Sequence, residues 1–410
     1  MKQLHRRVVV TGFGILSPIG NTIDDAWKSC IEGNSGITEV DTGLENNPIS
    51  VGGRLKNLNP DEFLDTKDIR RIDPFIQYGI IAANQSIFNS GILESNIDLN
   101  RVGVNFGAGI GGIHTIEKNK ILLDTKGFKK VSPFFVPGSI VNMISGLISI
   151  KHGFMGPNTS VVTACSTGNH CIGTAARSVA CGEAEIMIAG GAEMASTPLS
   201  IAGFIAARAL SRNPNPKTAS RPWDKERDGF VLADGAGSLV LEELNHAKKR
   251  GANILAEIIG FGTSSDAHHM TAPPEDGRGA VLSMENAIND AEINKTDVDY
   301  INAHGTSTPL GDVAETIALK KVFGENVPQI SSTKSMTGHT LGAAGAIESI
   351  FCIKSIIDGI IPPTINLKNP DPLCDLNYTP LVSEEKKITI AMNNSFGFGG
   401  TNSTLVFKKI

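Results

Sequence analysis

Short apolar runs that end on glycine, serine or threonine recur along the whole chain and alternate with stretches of helical pattern. RRVVVTGFG (residues 6–14), RVGVNFGAG (101–109), TSVVTAC (159–165) and EIMIAGGA (185–192) read as strands, followed by GSLVLEEL, ILAEIIGFG, DYINAHG, QISSTK, KITIAMNNSFG and STLVFKKI. Strands of this length separated by helices predict an α/β fold. The segments GNHCIGTAARSVACG and GHTLGAAGAIESIFCIKSI carry small residues all round, so they are expected to be buried helices rather than amphipathic surface ones. Glycine makes up 44 of 410 residues, about 11% against a usual 7% or so. Backbone must therefore approach backbone or ligand closely in many places.

Two echoes link the ends of the chain. VVTGFG near residue 12 resembles EIIGFG near 260, and ACSTGNH (164–170) resembles KSMTGHT (334–340). The spacings, 248 and 170 residues, are unequal, which excludes an even solenoid and favours two related α/β halves, residues 1–250 and 251–410, with insertions in the first. Gly-rich turns after strands resemble one another by chemistry, so the short matches alone leave chance similarity open. The Asn/Pro/Asp-rich stretches 41–60, 211–224 and 362–377 read as loops.

Several function classes fall away on composition. With 37 Lys and Arg against 42 Asp and Glu, the net charge of −5 argues against general nucleic-acid binding. No apolar run approaches the roughly 18 residues of a membrane span, so neither insertion nor export is expected. Cys30, Cys165, Cys171, Cys181, Cys352 and Cys374 form no CxxC pair, which fits a reducing cytoplasm.

Five motifs could carry chemistry. Gly12 and Gly14 suggest a dinucleotide fingerprint, but Ser17 stands where a third glycine is needed and Pro18 interrupts the turn, so a tight turn after the first strand is the better reading. Cys165 ends an apolar run and precedes a small-residue helix, a nucleophile-elbow arrangement. There the helix macrodipole and backbone N–H groups are expected to lower the thiol pKa; the alternative is a buried small hydrophobe. His304 (NAHGTSTPLGD) and His339 (SSTKSMTGHTLGAAG) each stand where a strand gives way to a turn, the usual place for α/β active sites. No helical i, i+3 or i+4 ligand pair supports zinc in these motifs, and His268-His269 reads as loop polarity. NNSFGFGGTN (393–402) offers N–H groups for an oxyanion hole or, equally, a glycine-enabled hairpin.

Taken together, TACSTG, NAHGTSTPLGD, SSTKSMTGHTLGAAGAIES and NSFGFGGTN closely resemble the β-ketoacyl-acyl-carrier-protein synthases, in particular the elongating type II enzymes of bacterial fatty acid synthesis. RRVVVTG, SPFFVP, GGAEMASTPL, RPWDKERDGFVLADGAG and PPTINLKNPD extend the resemblance over nearly the whole chain. It implies a thiolase-like duplicated fold, a five-layered αβαβα sandwich, as a cytoplasmic homodimer. It also implies decarboxylative condensation of malonyl-acyl-carrier protein with an acyl group held on Cys165. No cofactor or metal is implied, the substrates riding on the 4'-phosphopantetheine arm of acyl-carrier protein. By the same resemblance His304 and His339 stabilise the enolate, Lys334 gives electrostatic support with Glu315 as its acidic partner, and Thr306 and Thr308 contact pantetheine. Phe398 supplies an oxyanion N–H and a gate, and Ile110 narrows the acyl pocket. Lys67, Arg70, Arg71, Lys129 and Lys130 are candidates for docking an acidic carrier protein. The chain has STG after the nucleophile where close relatives of the family have TSG, an exchange of hydroxyls expected to matter little.

Alternatives separate on residues. A thiolase resembles Cys-His-Cys, and NNSFGFGG holds no cysteine; the initiating type III synthases resemble Cys-His-Asn, and His339 argues against them. A non-catalytic chain-length subunit replaces the nucleophile, which is intact here. A cysteine hydrolase has no use for two enolate donors. The type I elongating synthases share Cys-His-His and are separated from type II only by Ile110 and the wider sequence.

Overall fold

The computed structural model describes residues 6–410. Ten strands form its main sheet: β1 (Val8–Leu16), β2 (Val102–Gly107), β3 (Asn158–Thr159), β4 (Ile186–Glu193), β5 (Gly235–Glu243), β6 (Ala256–Ser265), β7 (Tyr300–Asn302), β8 (Gln329–Ser331), β9 (Ile390–Gly397) and β10 (Thr401–Lys408). Their order is β8-β7-β9-β10-β6-β1-β5-β4-β2-β3. Only Val8–Val10 against Ala256–Ile258 joins β1 to β6, so the sheet is two five-stranded sheets hinged along one edge.

The principal helices are α1 (Pro74–Ser90), α2 (Ile113–Lys126), α3 (Met143–His152), α4 (Thr167–Ala180), α5 (Arg278–Asp290), α6 (Pro309–Phe323) and α7 (Ala344–Asp358). Helices α1 and α3 cover the outside of the first sheet, while α5 packs on β6 and β10 of the second and α6 packs beside α5. Between the sheets lie α4 and α7, each touching strands of both. The result is the expected five-layered sandwich. Its central core joins Ile172 and Val179 of α4 to Ile347, Phe351 and Leu405, and two further cores lie under the outer helices. Burying α4 and α7 on both sides demands small residues: a Cβ at Gly168 would stand 2.6 Å from the Ala346 nitrogen, and one at Gly345 would stand 2.7 Å from that of Asn169.

The halves repeat one another strand by strand. In each, the first strand runs antiparallel to the last, the last two pair antiparallel, and the remaining pairs are parallel. Even the irregularities match, because β1 skips Thr11 in its pairing with β5, and β6 skips Ile259 in its pairing with β10.

Three expectations need correction. Gly12 and Gly14 lie inside β1, not in a turn after it; any Cβ there would run into the carbonyls of Ser86 and Ala82 on α1. Gly260 and Gly262 of β6 meet Ala287 and Ser283 of α5 in the same way, which is why VVTGFG and EIIGFG look alike. TSVVTAC is not a strand beyond Thr159, because the chain leaves the sheet edge there and dips inward. The second echo is real in kind but seven residues out of register. Ala164-Cys165-Ser166 forms a 3₁₀ turn with Ala164 at φ +51° before α4, and its counterpart is Leu341-Gly342-Ala343, with Leu341 at φ +47°, before α7. Cys165 therefore corresponds to Gly342, not to a residue of KSMTG.

Candidate active site

Cys165 sits on the strained turn at the head of α4 because Ala164 is held left-handed, a conformation that L-residues adopt at a cost. Hydroxyls fix that turn. Ser166 Oγ donates to the carbonyls of Ser395 (2.9 Å) and Thr401 (2.6 Å), and Thr167 Oγ1 donates to Ala164 (2.8 Å). Both positions of the exchanged STG pair are thus in use, each by an atom that either hydroxyl residue supplies.

The second half brings the imidazoles. His339 is gripped through its backbone, its N–H donating to Val231 (2.8 Å) and its carbonyl accepting from Ala233 (3.0 Å), and its Nε2 stands 3.0 Å from Cys165 Sγ. His304 follows β7, and its ring lies 5.5 Å from that of His339, nearly perpendicular to it. One donor atom from each of Cys165, His304 and His339 lies within 4.8 Å of the others. Such a set could hold a soft metal ion; it also surrounds the space an acyl carbon would take next to sulfur.

The electrostatics favour neutral rings. Loss of water, and then the positive charge of Lys334, push both histidine pKa values well below the usual 6.5. Cys165 goes the other way from the expectation. Burial pushes its thiol up to about 11, although Lys334 and the N–H groups of Phe398 and Cys165 itself oppose the shift. The helix terminus is present, but a charge partly stabilised by dipoles still loses more on leaving water.

Lys334 is fully buried, as its assigned role required, but its acidic partner is Glu348 of α7, not Glu315. Glu315 of α6 instead accepts the backbone N–H groups of His304 (2.9 Å) and Gly305 (2.8 Å), so it orients the histidine turn rather than the lysine. Reasoning from sequence missed Glu348. Its signal was a lone acid amid the small and apolar residues of GAAGAIESIF.

A cavity of about 650 Å³ opens onto the sulfur. Thr306 and Thr308 line it with hydroxyls 3.0 Å apart, and Ile110 (40% exposed) and Phe398 (36% exposed) stand in its wall. NNSFGFGGTN forms the β9–β10 hairpin, and the N–H of its Phe398 is directed at the Cys165 sulfur. Lys67, Arg70, Arg71, Lys129 and Lys130 are all exposed. The Arg71 guanidinium lies 4.7 Å over the ring of Phe134, four residues beyond Lys130.

The chain is similar to known proteins over nearly its whole length. Residues 5–247 match the model of the β-ketoacyl synthase N-terminal domain, and residues 255–368 that of the C-terminal domain. The chain is 54% identical to 3-oxoacyl-[acyl-carrier-protein] synthase 2 of Vibrio harveyi and 49% identical to that of Staphylococcus aureus strain N315, in each case over 99% of both chains. A β-ketoacyl synthase from Burkholderia phymatum superposes with a TM-score of 0.93 at 33% identity, over 99% of this chain and 100% of that one. A ketosynthase solved with its type II polyketide acyl-carrier protein superposes with a TM-score of 0.92 at 34% identity, over 99% of both chains. With the sulfur and both imidazoles placed by two matching halves, and full-length relatives at half identity, the chain belongs to the β-ketoacyl synthase family.

Proposed function

We propose that the chain is an elongating condensing enzyme of type II fatty acid synthesis. The observation that carries this reading is the Cys165 sulfur facing two neutral imidazoles at the end of an apolar cavity. In the first half-reaction the thiol of Cys165 attacks an acyl thioester. Its proton leaves with the departing pantetheine sulfur, and the acyl group becomes a thioester on Cys165. The N–H groups of Cys165 and Phe398 receive the tetrahedral oxyanion.

In the second half-reaction malonyl thioester loses carbon dioxide, and its C–C bonding electrons become an enolate. His304 and His339 donate N–H to the enolate oxygen, a task suited to rings that stay neutral. The enolate carbon then attacks the acyl carbonyl, the bond to Cys165 Sγ breaks, and a β-ketoacyl thioester two carbons longer leaves. Burial, and then the charge of Lys334, which its pairing with Glu348 holds in place, keep both rings unprotonated. Thr306 and Thr308 contact the pantetheine arm, and Ile110 and Phe398 gate the pocket. The synthase 2 names of the full-length relatives support type II over type I.

Acyl-carrier protein is the proposed partner, docking on Lys67, Arg70, Arg71, Lys129 and Lys130. A homodimer is supported by exposed apolar side chains at Ile116, Phe134, Val136 and Val162, and by the open edge that β3 gives the sheet. No helix among the described residues is long and apolar enough to cross a membrane. A boundary near residue 250 between the two halves is supported by the gap between the two family models.

Intact mass and product analysis test the reading. Lauroyl-carrier protein should acylate the protein, and malonyl-carrier protein should then convert the adduct to a β-keto product two carbons longer, both steps lost in Cys165→Ala. Acylation followed only by hydrolysis would overturn it.

A further inference from the structure

Glu193, the last residue of β4, is fully buried and has no cationic partner among the described residues. Its carboxylate is held by backbone alone. Oε2 accepts from Gly109 (2.5 Å) and Gly342 (3.1 Å), Oε1 accepts from Gly111 (3.0 Å), and the N–H of Ile110 reaches both oxygens (3.1 and 3.3 Å). Residues 109–111 belong to no helix or strand, so this carboxylate is what holds their amides.

The duplication explains why an anion fits there. Glu193 pairs with Gly235 at the start of β5, just as Gly397 pairs with Thr401 at the start of β10, so 193 and 397 are equivalent positions. Gly342 is likewise the counterpart of Cys165. On the catalytic side a Cβ at Gly397 would lie 3.2 Å from the Cys165 nitrogen, and glycine leaves the hole in front of that N–H open for substrate. On the other side the equivalent N–H, of Gly342, is already occupied by Glu193.

We propose that Glu193 fills the anion hole of the non-catalytic half and thereby acts as a positioning residue for acyl-chain selection. It ties the loop bearing Ile110 to the turn that follows His339. One carboxylate thus sets the distance between the wall of the acyl pocket and the imidazole side of the site. Burial pushes the Glu193 carboxyl up to about 7 while the four N–H groups oppose that shift, as for an anion held by dipoles without a counter-charge. This inference rests on the reading of Ile110 as part of the acyl pocket.

The test compares the wild type, Glu193→Gln and Ile110→Ala, using octanoyl- and myristoyl-carrier protein as donors. Gln keeps the shape but turns an NH₂ group toward N–H donors, freeing the loop. The ratio of kcat/KM values should move about tenfold toward the longer donor, the effect of one charge-assisted hydrogen bond. A merely structural role would lower both rates alike and leave the ratio fixed, and that result would overturn the proposal. If Ile110→Ala also leaves the ratio fixed, the reading of Ile110 fails; if it alone shifts the ratio, the role of Glu193 fails. Amide hydrogen exchange of the unmodified protein gives a check that needs no variant. The amides of Gly109, Ile110 and Gly111 should be protected like those of a strand, and exchange at open-loop rates would contradict the proposal.

Discussion

Cys165 works against its surroundings. With its thiol pushed up to about 11 by burial, Cys165 is held almost wholly as the thiol at neutral pH. A raised pKa means that the reactive fraction grows with every step toward alkali. Alkylation of Cys165 by iodoacetamide should accelerate about tenfold per pH unit between pH 7 and 9, and a plateau by pH 8 would contradict this. Cys165, His304 and His339 were legible because a reactive side chain at a strand-to-turn boundary is conspicuous in letters. The partner of Lys334 was not. Which of Glu315 and Glu348 meets the ammonium depends on how α6 and α7 are rotated, and small residues on every face of α7 leave no apolar stripe to reveal that rotation.

The two GxG pairs show how far a strand pattern can be read. An apolar run with glycines says that backbone comes close, but not whether the chain turns there or another element presses in. Gly14 and Gly262 occupy equivalent places, each beneath a helix carbonyl, Ala82 in α1 and Ser283 in α5. Substituting either by Ala should cost about 1–3 kcal/mol through overpacking, and the two losses should be similar, as read from urea midpoints. A large loss at one and none at the other would mean that the halves pack differently. The run leading to the Cys165 elbow was misread as a strand for a related reason: β-branched residues such as Val161 and Val162 favour extended backbone, but tertiary contacts between Ser166 and the β9–β10 hairpin draw the segment off the sheet. The same contacts hide the true register of the second echo, since Leu341-Gly342-Ala343 shares a shape with Ala164-Cys165-Ser166 and almost no chemistry.

Over the whole molecule, the net charge of −5 conceals local structure in the charge. Lys67, Arg70 and Arg71, with Lys129 and Lys130, are exposed, and they are the cations proposed to meet an acidic carrier protein. Reversing Arg70 and Arg71 to Glu should raise the Michaelis constant for carrier-bound acyl groups about tenfold and leave a small pantetheine thioester unaffected. Steady-state kinetics with both donors decide, and equal losses would place these residues outside the docking surface. The broad architecture was legible from alternating elements and from family motifs; the equivalence of the halves emerges only from strand pairing. That equivalence has a consequence for what a single unit could do. The first half holds the thiol and the second holds both imidazoles, so neither half contains a reaction centre of its own. Were they separate chains, the 3.0 Å meeting of Cys165 and His339 would depend on concentration and be lost on dilution. Joined through the short link between β5 and β6, they meet at an effective concentration fixed by the chain itself.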